Sequence, residues 1–126
     1  MSAQPIDARA LAQAGVDALR AGDPKNAREL FERIAGAGVA DVSTCLALAI
    51  ACRSLKDEPA ALAALDQALT LEPRNLQALI MKADQLASMG DPRGASSFYR
   101  AAVSVAPPQN QLPAELRNEL GRAQAM

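Results

Sequence analysis

Apolar positions along the chain fall at helical rather than strand spacing, and the apolar faces end in the same way more than once. In ALTLEPRN (68–75), Ala68, Leu69 and Leu71 continue one apolar face. Pro73 then blocks further winding and pushes Glu72 towards extended geometry. The same shape returns 34 residues later in AVSVAPPQ (102–109), where Ala102, Val103, Val105 and Pro107 hold the matching places. Between these stops lie shorter breaks of a second kind: AGDPKNA (21–27), LKDEPAA (55–61) and MGDPRGA (89–95), each with an Asp and a Pro at or near the same place. Gly22 and Gly90 suit the left-handed residue after a helix. Asp23 and Asp91 can cap the next helix, with Pro24 and Pro92 at its first position. In the middle break the same work falls to Asp57, Glu58 and Pro59. The pattern predicts helices near 7–21, 24–37, 42–56, 58–71, 75–89 and 92–105.

With Pro73 at position 32 of a 34-residue unit, the chain divides without gaps into repeats 8–41, 42–75 and 76–109. Position 8 reads Gly15, Ala49, Ala83, and position 20 reads Ala27, Ala61, Ala95. Position 24 reads Phe31, Leu65, Tyr99, and position 27 reads Ile34, Ala68, Ala102. Small residues at 8, 20 and 27 let two helices approach closely, while the side chain at 24 fills the space between neighbours. Taken together, the small residues, the large residue at 24 and the proline at 32 resemble the tetratricopeptide repeat (TPR) over 8–109, most of the chain. Departures are the missing Trp at position 4 (Leu11, Cys45, Leu79), the missing Tyr at position 11 (Ala18, Cys52, Leu86), and Ile34 and Val39 in the first unit. The resemblance implies an all-α, right-handed α-solenoid, a TPR-like superhelix forming a single domain over 1–126. Its last stretch, NQLPAELRNELGRAQAM, is expected to form a capping or linker helix over 113–125.

Composition narrows the chemistry. Half of the 126 residues are apolar, Ala and Leu dominate, and the aromatics are Phe31, Phe98 and Tyr99 alone, which is helix-former usage with small residues at contacts. Thirteen Lys and Arg against 14 Asp and Glu give a net charge of −1, so nothing electrostatic favours nucleic acid or an anionic membrane as partner. No apolar run approaches the ~20 residues of a membrane span. The start, MSAQPIDARA, has no basic region followed by an apolar core, so a cytoplasmic location is expected. Cys45 and Cys52 lie two helical turns apart, about 10 Å along an axis, beyond the ~7 Å that a disulfide tolerates. They are expected as buried thiols. The chain has no histidine, no Ser, Cys or Lys with an evident base partner, and no phosphate-binding glycine loop. No enzyme activity, cofactor or metal is expected.

The remaining function is binding. In a stack of helix pairs the first helices line the concave side. The resemblance places groove side chains at positions 2, 5, 9, 12 and 13 of each unit. These are Arg9, Ala12, Val16, Leu19 and Arg20 in the first, and Ser43, Leu46, Ile50, Arg53 and Ser54 in the second. The third offers Gln77, Ile80, Asp84, Ala87 and Ser88. The carboxylate-clamp subclass that holds chaperone tails uses Lys, Asn, Asn, Lys and Arg where this chain has Ala12, Val16, Ala47, Gln77 and Met81, so that role is not implied. What is left is an apolar strip of Ala12, Val16, Leu46, Ile50 and Ile80, expected to be exposed, bordered by Arg9, Arg20 and Arg53, with Asp84 near its far end. Such a strip suits a partner helix or apolar peptide with acidic flanks. Two alternatives stand beside it: a homodimer through the strip, and an N-terminal targeting or oligomerisation domain of a longer enzyme. TPR segments of that second kind precede aspartyl/asparaginyl hydroxylase-like and sulfotransferase-like domains. On the outer face, Arg28/Glu32 and Glu29/Arg33 are spaced as i,i+4 ion pairs.

Overall fold

A computed structural model describes residues 6–106, and among them every regular element is an α-helix. The helices are α1 (Ala8–Arg20), α2 (Pro24–Gly36), α3 (Val42–Ser54), α4 (Glu58–Leu71), α5 (Leu76–Ser88) and α6 (Pro92–Val105). The expected helix at 113–125 and the stop at Pro107 lie outside the described residues.

Each helix starts on an Asp or Asn whose side-chain oxygen accepts from the backbone N–H three residues on. The pairs are Asp7 with Ala10 (3.0 Å), Asp23 with Asn26 (3.1 Å), Asp41 with Thr44 (2.8 Å), Asp57 with Ala60 (3.3 Å), Asn75 with Ala78 (2.9 Å) and Asp91 with Gly94 (2.9 Å). These bonds satisfy amides that the first turn leaves without a helical partner. The breaks inside the helix pairs are built alike as well. Gly22 (φ 77°), Lys56 (φ 63°) and Gly90 (φ 83°) take the left-handed conformation. The following N–H returns to the helix it has left: Asp23 to the Ala18 carbonyl (2.8 Å), Asp57 to Cys52 (2.9 Å) and Asp91 to Leu86 (2.9 Å). The left-handed place in the middle break thus belongs to Lys56, outside the Asp57, Glu58 and Pro59 that the sequence puts in charge of that turn.

Two compact units divide between Leu71 and Glu72. In the first, α1 packs on α2, α2 on α3 and α3 on α4, and α1 also touches α3. Its core joins Ala18, Ala27, Phe31, Ile34 and Ala51, with Leu11, Val16, Leu19 and Leu48 packed around them. Gly15 admits Phe31: a Cβ at position 15 would lie 2.5 Å from the ring's Cζ. Helix α3 buries residues on several sides, Val42, Thr44, Cys45, Leu46, Ala49, Ala51 and Cys52, consistent with its place between α2 and α4. Arg28 pairs with Glu32 (3.6 Å) and also with Asp57 (3.1 Å), tying α2 to the start of α4. Glu29 and Arg33 form no ion pair among the described residues.

In the second unit α5 packs on α6 around Ala83, Ala95 and Tyr99, with Leu86, Phe98 and Val103 beside them. The Tyr99 hydroxyl donates to the Asp84 carboxylate. Lys82 Nζ sits 4.4 Å from the centre of the Phe98 ring, a cation–π contact.

Candidate functional site

The site grows from the first helix of each pair in the first unit. Arg9, Ala12, Gln13 and Val16 recur at helical spacing along one face of α1. Opposite them lie Val39, Asp41 and Thr44, at the turn into α3 and on its first turn. Together with Ala8 these residues line an open cleft of about 390 Å³. A smaller recess of about 120 Å³ continues it past Ala12 and Val16 to Ser43, Ala47 and the Phe31 ring. The floor is therefore alanine and valine with an aromatic at its end, and the rim is polar. Ala12 and Ala47 keep the floor low, while Gly15 lets Phe31 come up against α1.

The rim is charged on both sides. Asp41 Oδ1 accepts from Thr44 N (2.8 Å) and from Thr44 Oγ1 (2.9 Å). The bond from the Thr44 amide, and after it the bond from the hydroxyl, hold the Asp41 carboxyl below the ordinary carboxylate range, so it is ionised at neutral pH. Arg9 is exposed and pairs with no carboxylate among the described residues. Behind the rim, burial pushes the Cys45 thiol up, and the Asp41 charge adds to this. Burial also raises Cys52, although the nearby Arg28 works against it. Both cysteines are free and buried.

Four residues expected in the groove, Arg9, Ala12, Val16 and Ser43, meet at this cleft. Arg20, Ile50 and Arg53 are exposed but lie outside its lining. The expected exposure of the whole apolar strip does not hold. Leu46 keeps 8% of its surface and Ile80 none, so both belong to the interior. Position counting finds the helix face that a residue occupies but not the depth at which its neighbours close over it. In the second unit, Gln77 is exposed on α5 and Asp84 is half-buried with its carboxylate engaged by Tyr99. Asp41 and Thr44 were missed as rim residues. Their signal was present in the recurrence of Asp7, Asp41 and Asn75 at 34-residue spacing, at or just before the starts of three predicted helices.

Among the described residues no group of His, Cys, Asp and Glu is placed to hold a metal ion, and no helix is long and apolar enough to cross a membrane.

No family model matches the chain, and no curated protein matches it by sequence. Solved structures do match. PcrH of Pseudomonas aeruginosa, in complex with the chaperone-binding region of PopB, is 21% identical with a TM-score of 0.81, covering 99% of this chain and 98% of that one. The type III secretion chaperone SycD of Yersinia enterocolitica, in complex with a peptide of the translocator YopD, is 14% identical with a TM-score of 0.77, covering 93% and 92%. MamA is 20% identical with a TM-score of 0.79, covering 94% and 67%. At these identities the likeness is one of fold. The chain has the all-α, TPR-like helical-repeat architecture of these proteins.

Proposed function

We propose that this chain is a protein-binding module of three TPR units in one domain, and that the cleft between α1 and α3 receives an apolar peptide segment of a partner protein. One observation carries the reading: the first helices of two successive pairs enclose an open cleft with an alanine and valine floor and a polar rim. Concave sites of that make-up bury the apolar part of a ligand while a few polar groups set its orientation. Two of the solved neighbours hold segments of partner proteins, the chaperone-binding region of PopB in one and a peptide of the translocator YopD in the other. By that likeness the partner is a protein destined for secretion, and the setting is the cytoplasm. On this reading the chain acts by holding a partner, with no catalytic step. The enzyme-leader alternative has no observation behind it.

The test is substitution in the floor. Ala12→Glu places a long charged side chain at the half-buried position where the partner's apolar group would rest, and glutamate is a good helix former. The variant is expected to lose peptide binding, read by fluorescence anisotropy, while keeping its helix content by circular dichroism. Peptide binding retained by a folded Ala12→Glu chain would contradict the reading. Leu46→Asp is unsuitable for this test, because Leu46 is buried and its loss would unfold the unit.

A further inference from the structure

Asp41 places a negative charge at the exposed rim of the cleft, with both Thr44 bonds on one of its oxygens. Asp41 Oδ1 takes both bonds from Thr44, whereas Oδ2 accepts from no other described residue. Asp41 lines both the open cleft and the deeper recess. The two bonds lock the carboxylate, so using Oδ2 requires little further ordering. A purely apolar occupant would strip water from that oxygen and give nothing back, which is unfavourable for a charged group.

Deepening the reading above, and resting on it, we propose that the partner segment carries a lysine or arginine within a few residues of the aliphatic side chain it seats, and that this cation pairs with Asp41 Oδ2. The recess fits the aliphatic part. At about 120 Å³ it is smaller than the ~150 Å³ cavity known to take a benzene ring, so it suits a branched aliphatic side chain better than an aromatic one. The positive end of α3 offsets about half an elementary charge at Asp41, and about half remains to attract a cation. Arg9, on the other wall, forms no ion pair with Asp41 among the described residues, so it does not occupy that carboxylate. The sequence alone points to acidic flanks from the bordering arginines, and Asp41 adds a basic requirement on the opposite side.

The experiment uses the whole chain and a panel of capped nine-residue peptides. Each contains one Leu, Ile or Val, with Lys, Gln or Glu placed one to three residues away, and binding is followed by fluorescence anisotropy. Lys peptides are expected to bind about threefold tighter than their Gln partners, the order of a partly exposed ion pair. The ratio should shrink towards one near 1 M salt, where the screening length falls to about 3 Å. Asp41→Asn and Asp41→Ser both keep a side chain that can cap α3, and in both the Lys-to-Gln ratio is expected to fall to about one. Aliphatic peptides that bind with no Lys preference, or with one that survives both substitutions, would overturn this inference and leave the cleft reading standing. Failure of every peptide to bind would overturn both.

Discussion

Gly15 and Phe31 show how one residue's size is set by another's. The ring occupies the space that a side chain at position 15 would need, since a Cβ there would lie 2.5 Å from Cζ. The matching positions elsewhere pair Ala49 with Leu65 and Ala83 with Tyr99, so a small residue is matched with a large one each time. Gly15→Ala would by helix propensity gain about 0.5–1 kcal/mol, but overpacking a closed core costs about 1–3 kcal/mol. A net loss of stability is expected in urea unfolding, and Phe31→Leu in the same chain should recover part of it. Lys56 presents the opposite case. It holds a left-handed backbone where the matching positions have Gly22 and Gly90, and a side chain there costs about 1–2 kcal/mol. Lys56→Gly is expected to raise the unfolding midpoint by an amount worth about 1 kcal/mol, and an unchanged or lowered midpoint would contradict the account of that turn. Asp41 adds a dependence on pH. Its folded carboxyl is held below the ordinary value, so its contribution is present above the unfolded pKa of about 3.9 and is lost as pH falls through the folded value. Asp41→Ala should cost about 1 kcal/mol at neutral pH, and in acid titrations of stability the gap to the parent chain should close below about pH 4.

At the scale of elements, the helices were legible because several independent signals agree on their ends. Pro24, Pro92 and Pro73, the glycines at 22 and 90, and the 34-residue recurrence of small residues all mark the same boundaries. The caps carry a further rhythm: Asp7, Asp23, Asp41, Asp57, Asn75 and Asp91 alternate at spacings of 16 and 18 residues. Prolines and glycines are louder punctuation, which is why Asn75 reads as the first residue of a helix when it is the cap before Leu76. Helix α3 is the element most enclosed by its neighbours in the first unit. Cys45 and Cys52 lie on it, buried, with thiols pushed up by that burial. Both therefore hold little thiolate at neutral pH, and reagent can reach them only through opening of the helix. Labelling by a disulfide reagent in native buffer is expected to be slow and to accelerate with mild denaturant. Rapid native labelling of either cysteine would mean that α3 is less enclosed than described.

For the molecule as a whole, the helical-repeat architecture was legible because the sequence signals for it recur along the chain, and the candidate cleft was only half legible because its lining residues do not recur. Counting positions brought Arg9, Ala12, Val16 and Ser43 to one cleft. The same counting set Leu46 and Ile80 on the surface, where the structure buries them, since burial depends on how closely the surrounding elements pack and no single helix records that. Asp41 escaped because a capping residue and a rim residue look alike in sequence. The central claim is that the α1–α3 cleft of the first unit takes up an apolar peptide. The most direct measurement is an amide NMR titration of the whole isotope-labelled chain with the tightest-binding aliphatic peptide of the panel. Shift changes should concentrate at Ala12, Gln13, Val16, Ser43, Thr44 and Ala47. Changes confined to α5 and α6, or to the outer faces of α2 and α4, would contradict the claim.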